Sequence, residues 1–181
     1  MARKSYKKRY YKRKGRWSAN IKDIEDEQTL APGVISGNSI DLCLNPVQSN
    51  ITVSQQYTVK NIELSVFLEI SQPGTTIQDY GSKIEDIQHY IMYVPQGMNL
   101  TTDYNLEHPE YIMAYYYQGN PASDSISNSS LGYKLKIKSR MARRLQTGDR
   151  VIYFWKARNQ DTSNSSTVRL GGLVRWWTKA N

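Results

Sequence analysis

The residues best suited to chemistry in this chain lie at its start, where cations alternate with aromatic rings. The basic residues are Arg3, Lys4, Lys7, Lys8, Arg9, Lys12, Arg13, Lys14 and Arg16, and no acid interrupts them. The aromatic residues are Tyr6, Tyr10, Tyr11 and Trp17. Each cation can neutralise about one phosphate and release its condensed counterions, and each ring can stack on an unpaired base. The pattern predicts a segment that binds nucleic acid.

The charge of the whole chain is concentrated in residues 1–16. The chain has 24 basic and 16 acidic residues and a net charge of +8, and nine of the cations lie in this segment. We therefore expect a disordered basic arm at 1–16, because such a composition buries too little apolar surface to fold alone. We expect one folded domain at 17–181. A solvated tail is the alternative interpretation of the arm, whereas a nuclear localisation signal read by host import receptors is compatible with nucleic-acid binding.

Composition and motifs also argue against several classes of protein. Cys43 is the single cysteine and His89 and His108 are the only histidines, so neither a disulfide nor a zinc finger is expected. No nucleophile elbow, HExxH motif or P-loop occurs, which predicts no enzyme, no cofactor and no metal site. The acidic run 23–27 could bind Ca2+ between subunits, although such runs are more often solvated faces. No apolar run is long enough to cross a bilayer, so membrane insertion is not expected.

Hydrophobic periodicity predicts an all-β protein. Aliphatic residues alternate with polar ones over 62–70 and again over 133–138, which is the period of a half-buried strand. In the second segment Leu135 and Ile137 are expected to face a core, and Lys134, Lys136 and Lys138 to face outward. Candidate strands lie at 24–30, 38–44, 57–71, 89–94, 111–117, 133–140, 150–158 and 167–178. The number of strands favours an eight-stranded antiparallel jelly-roll sandwich, with another sandwich or a closed barrel as alternatives.

Four blocks in the chain resemble a known family. They are VPQGMN at 94–99, HPEYIMAYYYQGNP at 108–121, KIKSRMARRLQTGDRVIYF at 136–154 and VRLGGLVRWWTKAN at 168–181. In this order they resemble the capsid proteins of circovirus-like, Rep-encoding circular single-stranded DNA viruses. The resemblance implies a jelly roll that assembles as sixty copies, in a T=1 shell, around a single-stranded DNA genome, with the basic arm inside. It also implies a virion protein that assembles in the host nucleus and meets an attachment receptor. The arm here is short and rich in Lys and Tyr, whereas circovirus arms are long and rich in Arg.

Two internal segments are further candidates for binding. Arg140, Arg143 and Arg144 lie close together before the turn at Gly148 and Asp149. They could contact phosphates or pair with the acidic run 23–27 of a neighbouring subunit, and the sequence leaves both open. In RWWTK, alternation places Trp176 and Trp177 on opposite faces, so one can pack in the core and the other can stack on a base. The aromatic residues of HPEYIMAYYY are expected to fill the core.

Two functional classes remain. The first is a coat subunit whose sandwich builds a shell and whose arm binds the genome. The second is a monomeric or small oligomeric single-strand binding protein with a basic groove on an open barrel. A groove would need cations on the strands, and only the KLKIK segment and the nearby arginines are evident in the sequence, so the near-neutral body favours the shell.

Overall fold

The computed structural model describes residues 16–45, 56–71, 84–118 and 131–180, with the backbone alone at 131–133. Arg16 is the one residue of the predicted arm that lies within these ranges. The other arm residues named above lie outside the described residues, and the predicted disorder of the arm is not tested.

The described chain contains nine strands, one short helix and one 3-10 turn. The strands are β1 (Ser18–Leu30), β2 (Ile35–Leu44), β3 (Tyr57–Ser71), β4 (Ile84–Val94), β5 (Ile112–Tyr117), β6 (Leu131–Ser139), β7 (Arg143–Leu145), β8 (Arg150–Asn159) and β9 (Ser166–Ala180). The helix α1 (Tyr104–Glu107) and the 3-10 turn (Pro109–Tyr111) lie between β4 and β5.

The strands form two antiparallel sheets with the connectivity of a jelly roll. The first sheet has the order β1-β9-β3-β6, with β7 also paired to β3, and the second has the order β2-β8-β4-β5. Since β6 and β7 both pair with β3, they act as one interrupted strand. The first strand then pairs with the last, the second with the second to last, and so on inward. This rolled pairing confirms the predicted jelly-roll sandwich.

The core between the sheets follows the predicted alternation. On β3, Ile62, Leu64, Val66, Leu68 and Ile70 are each at most 3% exposed. Burial of one such side chain contributes about 1.5–3 kcal/mol, so this face dictates the register of the strand. On β6, Leu135 and Ile137 are buried, whereas Lys134, Lys136 and Lys138 are exposed, as predicted. From the second sheet, Val151, Tyr153, Trp155 and Ala157 of β8 complete the core.

The second sheet is also covered on its outer side. The connection between β4 and β5 folds back over it and forms a second apolar cluster. The buried members of the cluster are Tyr90, Met92, Val94, Tyr104, Ile152 and Phe154. Because the even-numbered residues of β8 pack here and the odd-numbered ones pack in the main core, β8 is buried on both faces, as its continuous apolar run predicts.

The prediction that the aromatic residues of HPEYIMAYYY fill the core is wrong for three of them. Tyr115, Tyr116 and Tyr117 are 51%, 42% and 49% exposed. They lie on β5, which is one of the two edge strands of the second sheet in the described chain. An edge strand has a neighbour on one side only, so its side chains keep more contact with water.

Several element bounds also differ from the prediction. Strand β1 begins at Ser18 rather than residue 24, and β4 begins at Ile84 rather than residue 89. The first extension is polar, and its backbone pairs with β9 from Ser18 opposite Thr178 onward. Hydrogen bonding to a neighbouring strand, which has no signature in local hydropathy, determines where these strands start. Strand β7 and helix α1 were not predicted at all.

Candidate nucleic-acid interface

The outer face of the first sheet carries charged and aromatic side chains from strands that are distant in the sequence. Residues directly opposite one another in antiparallel strands point to the same face. Thr58 on β3 lies opposite Lys179 on β9 and opposite Arg144 on β7. Its neighbour Val59 is fully buried. Thr58, Lys179 and Arg144 therefore lie together on the outer face.

The next positions along this face continue the pattern. Lys60 lies opposite Trp177, and Trp177 lies opposite Ala19 on β1. Beyond them, Glu63 lies between Arg175 on β9 and Lys138 on β6. A bulge lies between Lys60 and Glu63, at Asn61 with φ of 50°. Since the bulge adds one residue to β3, Lys60 and Glu63 face the same way despite their odd spacing.

We call this region the basic end of the outer face. Its cations are Lys60, Lys138, Arg144, Arg175 and Lys179. The acid among them is Glu63, which binds Lys138 at 3.3 Å. Among the residues that the structure describes, Arg144, Arg175 and Lys179 have no carboxylate within 4.0 Å. The guanidinium and ammonium groups of these three are therefore available to anions.

The other end of the same face is acidic. Asp23, Glu25 and Glu27 on β1 and Glu69 on β3 lie there, and Arg169 pairs with Glu27 at 2.9 Å. Lys134 and Lys136 on β6 also lie on this face, opposite Phe67 and Ser65, so the acids are concentrated along β1 and at the far end of β3. The sequence analysis missed Lys60, Arg175 and Lys179 because they lie on two strands more than 100 positions apart in the chain. A signal was present in RWWTK, since residues 175, 177 and 179 share one face of a strand.

Two tryptophans lie at the basic end. The Nζ atom of Lys60 is 3.9 Å from the ring centroid of Trp17, and Trp17 is still 37% exposed. Trp177 is half-buried and lies directly opposite Lys60. Trp176, by contrast, packs against the main core. The predicted division of Trp176 and Trp177 between the two faces is confirmed.

The predicted cluster of three arginines is divided in the structure. Arg144 points to the basic end, and Arg140 is exposed just after β6. Arg143 points the other way, because neighbouring residues of a strand face opposite sides. Its Nη2 donates to the carbonyl oxygen of Glu110 at 2.8 Å, and its guanidinium carbon lies 5.6 Å from the ring centroid of Tyr93. Arg143 is thus occupied within the chain, and Arg140 and Arg144 are the arginines of this cluster that face solvent.

The chain enters the sandwich beside the basic end. Trp17 lies over Lys60 on the outer face. Arg16 lines a groove between the two sheets, together with Lys22, Tyr57 and Trp176. Residues 1–15 connect directly to Arg16, so the predicted basic arm joins the sandwich between the outer face and this groove.

Buried polar groups elsewhere serve the fold. His89 is buried, with Nδ1 at 2.8 Å from the Tyr153 hydroxyl and Nε2 at 3.2 Å from Oε1 of Gln118. Burial lowers the pKa of His89 from 6.5 to about 4, so the ring is neutral at neutral pH. Burial raises the pKa of the Cys43 thiol to about 12, so the reactive thiolate is not populated at neutral pH. The carboxylate of Asp149 accepts bonds from the backbone N–H groups of Gln96 and Gln146 and so fixes two connections.

Across ranges 16–45, 56–71, 84–118 and 131–180, no three side chains of His, Cys, Asp or Glu converge on a common point that could hold a metal ion. No helix within the same ranges is both long and apolar enough to span a membrane.

Comparison with known proteins gives structural similarity alone. No protein-family model matches the chain, and no curated protein is similar to it in sequence. The structure of turnip yellow mosaic virus is similar with a TM-score of 0.35 and 13% identity, over 87% of this chain and 92% of that one. The decameric BFDV capsid protein is similar with a TM-score of 0.34 and 8% identity, over 92% of this chain and 100% of that one. Both TM-scores are below 0.5, so neither similarity supports a functional inference. The assignment of the jelly-roll fold rests on the strand order.

Proposed function

We propose that this chain is a viral coat subunit that assembles into a closed shell and binds a single-stranded DNA genome inside it. The observation that carries the proposal is the position of the basic end. It lies on one face of a jelly roll, at the point where the predicted basic arm joins the first strand. Arm and face together would present one continuous cationic surface to a polyanion. The blocks that resemble circovirus-like capsid proteins support a T=1 shell of sixty copies, in the virion and assembled in the host nucleus.

Binding in this proposal is electrostatic and independent of sequence. Lysine and arginine contact phosphates and release counterions, whereas readout of base edges needs donors and acceptors placed in a groove. Nine arm cations in each of sixty copies give about 540 charges, which balance a similar number of phosphates. The basic end has five cations and one acid and would add about four net charges per copy. The wall of the shell would thus share the neutralisation of the genome with the arms.

Assembly in this proposal uses the remaining surfaces of the sandwich. Closed shells form when interfaces between identical copies repeat around symmetry axes. The exposed Tyr115, Tyr116 and Tyr117 on β5 supply aromatic surface suited to such contacts. The arms contribute by neutralising repulsion along the genome rather than by joining subunits.

A single-strand binding protein that acts as a monomer is the second candidate. The basic end is the observation that favours it, because it supplies the strand-borne cations that such a protein needs. The two candidates differ in assembly and not in chemistry, so particle formation separates them.

Removal of two cations from the basic end should weaken DNA binding more than removal of two cations elsewhere. For Arg144→Gln with Lys179→Gln, we expect the slope of log affinity against log salt to become shallower by about 1.4, since each phosphate contact on a single strand contributes about 0.7. Filter binding of a thymidine oligonucleotide over a range of salt measures this slope.

The matched control is Arg158→Gln with Arg169→Gln. It removes the same charge from exposed positions outside the basic end, on β8 and on the acidic end of β9. We expect its slope to stay close to that of the unmodified protein. Equal losses in the two double variants would mean that the basic end has no particular role.

A further inference from the structure

We propose that Trp17 and Trp177, together with Lys60, form a base-stacking site for single-stranded nucleic acid on the basic end. The site would take an unpaired base of any identity, with its flanking phosphates on Lys179, Arg144 and Arg175. This inference rests on the proposed function and adds to it a defined position where bases, and not phosphates alone, contribute to affinity.

The geometry of the site comes from the register of three strands. Lys60 on β3 and Trp177 on β9 are directly opposite, and Ala19 on β1 is directly opposite Trp177 on its other side. Trp17 lies two residues before Ala19 and contacts Lys60 through its ring. Ala19 has only a methyl group, so the β1 residue directly opposite Trp177 is small, and the next β1 residue on this face, Ile21, lies opposite Arg175. Both indoles therefore border a single region of the outer face, around the Lys60 ammonium.

The exposure of the rings indicates a role beyond packing. Trp176 already supplies an indole to the core, and Trp177 on the opposite face is not needed there. Trp17 is 37% exposed although an ammonium lies over its ring. A cation contacts one face of an indole, so part of the ring remains available. Flat apolar rings beside cations are the combination that binds single strands, where each stacked base contributes about 1–3 kcal/mol.

Phosphate contacts lie within reach of the rings. Lys179 and Arg144 flank Thr58, which lies two residues before Lys60 on β3. Arg175 lies two residues before Trp177 on β9. Adjacent strands are about 4.8 Å apart, and residues on one face of a strand repeat at about 6.8 Å. The cations therefore surround the rings at spacings comparable to those between successive phosphates of an extended strand.

A second copy of this chain is the competing occupant. Its acidic end, with Asp23 and Glu25, has the opposite charge and could contact the same cations. Carboxylates would use the cations and leave the two indoles without a partner. The nucleic acid uses both, and its predicted binding arm joins the sandwich at this position. We therefore assign the surface to single-stranded nucleic acid.

The test compares two oligomers of equal charge, one with bases and one without. The full-length protein is titrated with a thymidine oligonucleotide of about twelve nucleotides, within the usual site size, and with an abasic sugar–phosphate oligomer of the same length. We expect the unmodified protein to prefer the oligomer with bases by about tenfold or more. In Trp17→Ala with Trp177→Ala, that preference should fall to the part contributed by Tyr6, Tyr10 and Tyr11 of the arm, while the salt dependence stays unchanged.

Controls separate stacking from other effects. Phe67→Ala removes another exposed ring from the outer face, close to the acidic end, and should leave the preference intact. Trp17 precedes the first strand, so Trp17→Ala alone should not affect folding. This single variant tests the site if the double variant fails to fold. Trp177→Phe keeps an aromatic ring and should retain part of the preference.

Each outcome has a defined meaning. If the unmodified protein binds neither oligomer, the proposed function itself is wrong. If it binds both equally, the phosphate part of the proposal stands and base stacking is wrong. If the double variant and Trp17→Ala alone both keep the full preference, the stacking rings lie elsewhere. If these variants keep the preference but assemble into smaller particles, the surface is a contact between copies instead.

Discussion

Deletion of residues 1–16 should lower the affinity for single-stranded DNA by several orders of magnitude and leave the sandwich folded. The segment holds nine cations, and each phosphate contact that is lost makes the salt dependence shallower by about 0.7, or about six in total if all nine engage. The fold should survive because β1 begins at Ser18 and the first buried core residue in the described chain is Ile24. The charge and the core thus belong to different parts of the chain.

The deletion is checked by filter binding across a range of salt and by circular dichroism. A variant with the same arm residues in shuffled order is the matched control, and it should bind as tightly as the original because phosphate contacts carry no sequence information. Loss of the β signal after deletion, or undiminished affinity, would show that charge and fold are not separate.

Leu135→Ala should reduce the free energy of unfolding by about 2–5 kcal/mol, through lost burial and the cavity that remains. Leu135 is 4% exposed and lies opposite Val66 on β3. Its neighbour Lys136 lies opposite Ser65 and is exposed. Lys136→Gln should therefore change the free energy of unfolding by no more than about 0.5 kcal/mol.

Urea denaturation of the two variants gives this comparison directly. The pair differs by one position in the same strand, so a difference reports which face each side chain occupies. A mild effect at Leu135 together with a large one at Lys136 would mean that β6 is displaced by one residue. All side chains of the strand would then face the wrong side.

The strands with strong periodicity could be predicted from the sequence, and the edges could not. Alternation over 62–70 predicted β3, because this pattern indicates a strand with one buried face. The continuous apolar run at 151–155 predicted β8, because such a run indicates a strand buried on both faces. Tyr115 to Tyr117 have the same composition as a core strand but lie on an edge. Their exposure depends on the order of strands in the sheet, which no local pattern encodes.

The candidate site was predicted only in part for a similar reason. The arm is evident because its cations are consecutive in the sequence. The basic end is assembled from Lys60, Arg144 and Lys179, which belong to three strands and become neighbours through pairing to Thr58 and Trp177. Its charge is also offset by the acidic end of the same face, so the net charge of the body conceals it. Arg143 and Arg144 are adjacent in the sequence but face opposite sides of β7, so their closeness in the sequence does not place them in one site.

The central claim is that this chain forms a closed shell around single-stranded DNA, and mass measurement with electron microscopy of purified protein and DNA tests it most directly. We expect uniform closed particles whose protein mass is about 1,250 kDa, sixty times the 20.9 kDa chain. The enclosed DNA should resist added nuclease. Folded protein that binds DNA but stays monomeric, and leaves the DNA open to nuclease, would contradict the claim and identify a single-strand binding protein instead.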